Sequence, residues 1–242
     1  MNVNGQRIVV MGGSSGIGEA AATRFAADGG EVVVTGRDQE RLDAAVRRIG
    51  GKAAGHRLDG ADPAQVADFF ASAGAVDHLV LALSSSSGAG PFADLDLAEL
   101  AAGFDGKFWP YVRILQAALP TLRKDGSVTF ITAASARAAF PGTAGLAAIN
   151  GALEAMVPPL AAELAPLRVN AVSPGVVDTP WWSRVPEAQR TAFFEGLAAT
   201  TPVGRVGQAT EIGEAVYALA ANGFISGVVL DVTGGANLPM GR

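Results

Sequence analysis

A glycine-rich segment near the start of the chain has the composition of a phosphate-binding loop. The segment Gly12-Gly13-Ser14-Ser15-Gly16-Ile17-Gly18 follows a short apolar run and leads into an alanine-rich stretch with helical spacing. Glycines at a strand-to-helix turn let the backbone approach a pyrophosphate, which then lies against the free N–H groups at the positive end of the helix. We therefore expect a dinucleotide to bind at Gly12, Ser14, Ser15, Gly16, Ile17 and Gly18.

Such a loop needs a strand before it and a helix after it, and the chain repeats that alternation. Short runs of Val, Ile and Leu predict strands at 7–11, 31–35, 52–58, 78–83, 127–132, 168–172 and 228–232, and segments with helical spacing predict helices at 16–27, 39–49, 63–73, 97–122, 143–164 and 210–221. Continuous apolar runs are typical of parallel strands covered on both faces. The sequence thus predicts one α/β domain over residues 1–242, a Rossmann fold with a doubly wound, seven-stranded parallel sheet.

One long stretch, from about 174 to 207, has no regular pattern and is rich in proline and aromatic residues. A loop of that length in a compact domain is usually functional, and we interpret residues 176–207 as a lid over the substrate. Its large rings could form an apolar wall for a bulky or aromatic small molecule, or they could pack against the core or another subunit; they are Trp181, Trp182, Phe193 and Phe194.

The Gly-x-x-x-Gly-x-Gly spacing resembles the short-chain dehydrogenase/reductase family, and several later segments agree with it. Asp59 follows the third strand, where the family places an Asp against the adenine ring, and Leu58 before it is a further candidate for cofactor binding. Pro174 and Gly175 look like its turn beside the nicotinamide. The positions that usually bind the carboxamide are occupied by Val177 and Thr179.

The end of the second strand bears on the choice of cofactor. Relatives that prefer NAD place an Asp there, whose carboxylate binds the ribose hydroxyls and repels a 2′-phosphate. Here the position is Gly36, and the next residue, Arg37, offers a fork of donors that suits phosphate. NADP(H) is therefore favoured over NAD(H), although Ser15 stands where many NADP(H) relatives carry a basic residue. Alternatively, Arg37 is a solvated charge that pairs with Asp38 or Glu40.

The resemblance also implies a Ser, a Tyr, a Lys and an Asn that carry out the family's reaction, and none stands at its usual position. Those positions fall on Ala133, Leu146, Asn150 and Lys107, respectively. The Lys and the Asn have exchanged places, which would keep an amine and an amide in one small volume. We hypothesise that Lys107 supplies a cation or a proton there, with Asn150 and Ser135 as further candidates; the alternative is a surface or interface lysine.

Three functions follow from this combination. The first is an NADP(H)-dependent oxidoreductase with an atypical proton donor. The second is a catalytically silent NADP(H)-binding protein, as loss of the usual residues would suggest. The third is a non-redox enzyme on the same fold, such as an isomerase, cyclase or lyase.

Composition and charge exclude other classes. The net charge is −5 without a large basic cluster, which disfavours nucleic acid as a partner. Two distant histidines and no cysteine predict neither a metal site nor disulfides. The first residues lack the pattern of a secretory signal peptide, and no apolar run reaches the roughly 18 residues that a membrane-spanning helix needs. We therefore expect a cytoplasmic protein that is not bound to a membrane. The resemblance implies a homo-oligomer, a dimer or tetramer, assembled through residues 97–122, 143–164 and 227–235.

Overall fold

The computed structural model describes residues 2–238, in which seven parallel strands form one sheet. The strands run in chain order as β1 (Arg7–Met11), β2 (Glu31–Gly36), β3 (Ala54–Arg57), β4 (Val76–Leu81), β5 (Leu122–Ile131), β6 (Arg168–Pro174) and, at the end, β9 (Val229–Val232). Two short strands, β7 (Val177–Asp178) and β8 (Gly207–Gln208), pair separately. The main sheet has the order β3-β2-β1-β4-β5-β6-β9, which confirms the seven-stranded parallel Rossmann architecture.

Helices cover both faces of this sheet. They are α1 (Gly16–Ala27), α2 (Gln39–Ile49), α3 (Pro63–Ser72), α4 (Leu97–Gly103), α5 (Trp109–Ala118), α6 (Ala144–Glu163), α7 (Glu187–Thr200) and α8 (Ala209–Ala221). One core cluster contains Tyr111 and Phe70, and the other contains Phe25 and Tyr217. The strand order reverses between β1 and β4, and ligands of such sheets bind where the carboxyl ends of the strands meet this reversal.

The single helix predicted over 97–122 is wrong in two respects. A π-helical turn, Phe104–Phe108, joins α4 to α5, and the helical segment ends at Ala118. Leu122, predicted to be helical, instead begins β5. Backbone hydrogen bonds between Thr121 and Ala118 and between Val76 and Thr121 bring the chain from the helix directly into the sheet.

The stretch 174–207 is also more regular than predicted. It contains the 14-residue helix α7 and a 3₁₀ turn, Pro180–Arg184. Good helix formers and Glu187 in the first turn, directly after Pro186, account for α7. No residue of α7 is buried, so the helix lacks the strong apolar periodicity that would have revealed it in the sequence.

Helix α6 is long and apolar enough to span a bilayer by length and composition, with 20 residues and a hydropathy of 1.2. It lies against β6, and its polar residues Asn150 and Glu154 are buried. We interpret α6 as a core helix, since these side chains make hydrogen bonds inside the domain.

Candidate active site

The glycine-rich loop lies at the carboxyl end of β1 and is held in a conformation that requires small residues. Gly12 has φ +83°, and a Cβ there would come within 2.9 Å of the carbonyl oxygen of Ala82. A Cβ on Gly18 would overlap the carbonyl oxygen of Gly12. Helix α1 begins at Gly16, and within residues 2–238 its N-cap Ser15 makes no side-chain capping bond. The amide groups at this helix end are therefore available to an anion.

The ends of β2 and β3 lie beside this loop. A Cβ on Gly36 would lie 2.9 Å from Ser14 Oγ, so the loop leaves little room for a larger residue at that position. Arg37 is exposed, and no carboxylate among residues 2–238 lies within 4.0 Å of it. Its neighbour Asp38 caps α2 instead, accepting a bond from the backbone N–H of Arg41 at 3.0 Å.

Two further predicted cofactor-binding residues, Leu58 and Asp59, follow β3. Leu58 is buried, and its N–H donates to the carbonyl oxygen of Gly36 at 3.0 Å. The Asp59 carboxylate accepts from the N–H of Ala61 at 3.0 Å, which fixes the turn into α3. Both residues therefore lie at the same edge of the sheet as Arg37.

The segment after β6 closes the other side of the loop. Gly175 N–H donates to Val232 O at 3.0 Å, and Val177 is buried where β7 pairs with β8. Thr179 is near the loop, because a Cβ added to Gly16 would lie 3.5 Å from the Cβ of Thr179. The glycine cradle and its surroundings thus fit a bound dinucleotide.

Lys107 lies in the π-helical turn and points into the domain. Its side chain is only 7% exposed, and Nζ donates to Asn150 Oδ1 at 2.7 Å and to Thr132 O at 3.4 Å. Burial lowers the pKa of the ammonium group to about 8, while the negative charge of Glu154 opposes that shift. A buried amine with such a pKa can both hold and release a proton near neutral pH.

Asn150 connects this lysine to the other predicted residues. Its Nδ2 donates to Leu146 O at 2.9 Å and to Ser135 Oγ at 3.4 Å. Ala133, in extended conformation, lies two residues after the end of β5 and precedes the 3₁₀ turn that carries Ser135. The structure therefore brings Lys107, Asn150 and Ser135 together.

Glu154 is a charged neighbour that the sequence analysis missed. Only 8% exposed, it accepts from Thr132 Oγ1 at 2.8 Å and from Arg137 Nε at 2.9 Å. The signal was its spacing, since a residue four positions after Asn150 lies on the same helix face. Arg137 offsets the negative charge of the Glu154 carboxylate. Thr132 links Glu154 to Lys107, because its hydroxyl donates to Glu154 and its backbone carbonyl oxygen accepts from Lys107.

Tyr111 is fully buried and serves the fold. Its hydroxyl lies 2.7 Å from Leu81 O and 2.9 Å from Ile131 O, at the ends of two neighbouring strands. Burial raises the pKa of this hydroxyl well above its usual range. A tyrosine whose proton is held in this way is a poor acid near neutral pH.

The segment interpreted as a lid, residues 176–207, holds an aromatic cluster of its own. The Trp182 ring lies 4.7 Å from the ring of Trp181 and 5.1 Å from that of Phe193, measured between centroids, and Phe194 is a further member. Trp181 and Phe193 are about two-fifths exposed, at 42% and 43%. Arg184 donates to Ser86 Oγ at 2.9 Å, so this segment touches the serine-rich loop at 84–87, after β4.

Within residues 2–238, no group of three or more His, Cys, Asp or Glu side chains is arranged to hold a metal ion. The Glu154 carboxylate, which lies near Lys107, is instead bonded to Arg137 and Thr132.

Comparison with known proteins places this geometry in a family. A family model described as enoyl-(acyl carrier protein) reductase matches residues 12–237. The L-fucose dehydrogenase of Rattus norvegicus is 31% identical, over 99% of this chain and 92% of the relative.

Solved structures give the same result. A small-chain dehydrogenase in complex with NADPH superimposes with a TM-score of 0.85 at 34% identity, covering 97% of this chain and 100% of the other. A short-chain dehydrogenase/reductase from Serratia marcescens gives a TM-score of 0.88 at 29% identity, with 98% and 100% covered. The chain belongs to the short-chain dehydrogenase/reductase family.

Proposed function

We propose that this protein is an NADP(H)-dependent oxidoreductase in which Lys107 is the proton donor. The observation that carries the proposal is the buried Lys107 ammonium group, 2.7 Å from Asn150 Oδ1, beside Ser135 and at the carboxyl end of the sheet. The glycine cradle and Arg37 support binding of a phosphorylated dinucleotide, as does the NADPH bound to the similar small-chain dehydrogenase.

The cofactor would be held by the loop at 12–18, by Arg37, Leu58 and Asp59, and by Pro174, Gly175, Val177 and Thr179. When bound, a nicotinamide cofactor supplies or accepts a hydride. The protein residues then have to manage one proton. In the direction of reduction, the Lys107 ammonium gives a proton to the substrate oxygen and is left as a neutral amine, which regains a proton from water. Asn150 and Thr132 orient Nζ for this transfer.

The pKa of Lys107 sets the expected pH dependence. Burial lowers it from 10.5 to about 8, so the group is mostly protonated at pH 7 and neutral above pH 9. Reduction by the wild-type protein should therefore slow as the pH rises through about 8.

The test compares Lys107→Met and Lys107→Arg with wild type by following NADPH absorbance across a panel of carbonyl, imine and activated-alkene compounds. We expect Lys107→Met to lose at least about 100-fold in kcat, in line with the loss of a general acid. Lys107→Arg keeps the charge but releases its proton poorly, so it should be slow and should lose the transition near pH 8. The exposed Lys124 offers a matched control, Lys124→Met, which should retain wild-type rates.

Either of two results would overturn the proposed role of Lys107: full turnover by Lys107→Met, or a pH profile that Lys107→Arg leaves unchanged. Binding of NADPH, measured by fluorescence in the same variants, separates loss of the proton donor from loss of the cofactor site.

A catalytically silent NADP(H)-binding protein is the second candidate. It is favoured by the same contacts, because two protein oxygens already accept from Nζ and stabilise the lysine in place. This alternative predicts NADPH binding without turnover of any compound in the panel, together with a lower stability of Lys107→Met.

We also propose that the substrate is a small molecule with a bulky or aromatic part, received by the lid. Exposed rings of Trp181 and Phe193 support this choice, since aromatic side chains offer large contact areas. For assembly we propose a homotetramer, supported by exposed apolar residues in two of the segments expected at subunit contacts, among them Trp109 and Leu230.

A further inference from the structure

A second arginine lies next to Arg37 at the edge of the sheet. Strands β2 and β3 pair with Gly36 opposite Arg57, which places Arg57 beside the residue that follows Gly36. Arg57 Nε donates to the backbone carbonyl oxygen of Arg37 at 3.2 Å. The two cationic residues are therefore neighbours in space although 20 positions separate them in the chain.

No acidic side chain neutralises this pair in the part of the chain that the structure describes. Both arginines are exposed, and neither has a carboxylate oxygen within 4.0 Å among residues 2–238. The nearby acids have other partners or lie farther away: Asp38 caps α2, Asp59 closes its own turn, and Asp68 lines the same surface depression as Arg57 without forming an ion pair. Two cationic side chains at one corner of the sheet, neither paired with a carboxylate among residues 2–238, favour the binding of an anion.

The hydrogen bond from Nε also orients Arg57. It ties one N–H of the guanidinium to the backbone of Arg37 and, among residues 2–238, leaves the two terminal nitrogens available to a ligand. Such a planar fork matches two oxygens of a phosphate group. Ser14 Oγ lies at the same corner, close to Gly36.

We infer that Arg57 is a second specificity-determining residue, which binds the 2′-phosphate of the adenosine ribose together with Arg37. This inference rests on the proposed binding of NADP(H). Arg57 would thus contribute to the preference for NADP(H) over NAD(H). The sequence alone does not indicate this role, because Arg57 lies on β3, far from the glycine loop in the chain.

The experiment measures binding of two adenosine probes by isothermal titration calorimetry, without any need for turnover. The first probe, 2′,5′-ADP, carries the 2′-phosphate, and the second, AMP, lacks it. For Arg57→Gln we expect at least about a tenfold loss of affinity for 2′,5′-ADP, the size of one charge-assisted hydrogen bond, and no change for AMP. The control Arg47→Gln removes the same charge from the exposed far end of α2 and should leave both affinities unchanged.

Each outcome has one meaning. If wild type prefers 2′,5′-ADP and Arg57→Gln binds it equally well, Arg57 has no such role, although NADP(H) binding stands. If Arg57→Gln weakens both probes alike, the residue supports the fold of the site and the inference fails. If wild type binds 2′,5′-ADP no better than AMP, the proposed cofactor itself is wrong. Circular dichroism and thermal unfolding confirm that each variant is folded.

Discussion

Two buried ionisable residues, Lys107 and His78, differ in the role that their surroundings favour. Lys107 has two oxygen partners and a pKa of about 8, which suits proton transfer. His78 is also buried, at the opposite end of the sheet from the candidate site, where its ring nitrogens contact Ser127 Oγ at 2.8 Å and Gln6 Oε1 at 2.9 Å. Those two contacts suit the neutral ring, so His78 makes folding depend on pH and takes no part in the proposed reaction.

We predict that His78 destabilises the protein in mild acid. Burial, with a smaller effect from the Arg168 charge, lowers its pKa from 6.5 to about 4. The unfolded chain therefore binds more protons between pH 6.5 and 4, and stability is lost as the pH falls through this range. At about 1.4 kcal/mol for each pKa unit, the loss is up to about 3 kcal/mol. Urea unfolding should show this dependence reduced in His78→Gln and retained in the exposed control His56→Gln; equal pH dependence in all three proteins would contradict the prediction.

At the scale of elements, the sequence predicted most of the scaffold and missed what tertiary packing decides. The bounds of α1 and α2 could be predicted because Gly16, Asp38 and the glycines at 50–51 are local start and stop signals. The π-helical turn that aims Lys107 inward has no such signal. The contact of Arg57 with Arg37 depends on strand register, and the carboxylate of Glu154 becomes part of the site only when α6 lies on the sheet.

The end of α8 shows how one side chain joins two elements. Arg168, the first residue of β6, is 8% exposed and donates to the carbonyl oxygens of Leu219, Asn222 and Ile225 at 2.7, 3.0 and 3.1 Å. These carbonyls lie at or just after the last turn of α8, where backbone acceptors have no partner within the helix and the dipole favours a cation.

Replacing Arg168 by Met should therefore destabilise the protein strongly. Because several buried acceptors lose their donor at once, we expect the free energy of unfolding to fall by about 3 kcal/mol. Arg168→Lys should recover only part of this loss, since an ammonium group cannot span the same carbonyls. Arg123→Met removes an exposed partner of Asp77 and should cost less than about 1 kcal/mol. Chemical denaturation compares the three variants, and a loss in Arg168→Met no larger than in Arg123→Met would refute the capping role.

For the whole molecule, the parallel sheet gathers residues from distant parts of the chain at its carboxyl edge, and it leaves β9 as an edge strand. An exposed apolar edge is normally covered in a stable soluble protein. Leu230 on β9 is 38% exposed, and Trp109, at the start of α5, is 45% exposed. We propose that they belong to two separate subunit contacts, as a tetramer with two kinds of interface requires.

The proposed tetramer makes a stepwise prediction. Light scattering coupled to gel filtration should give the wild type a mass four times that of the 24.5 kDa chain. A charge buried in an apolar interface is costly, so Leu230→Lys and Trp109→Glu should each leave dimers, and the double variant should be monomeric. Phe92→Lys places a charge on a ring that is 78% exposed and outside the expected contacts, and it should remain tetrameric. A monomeric wild type would rule out the tetramer. Single variants that keep the full mass would rule out these interfaces, because neither interface could tolerate a buried charge.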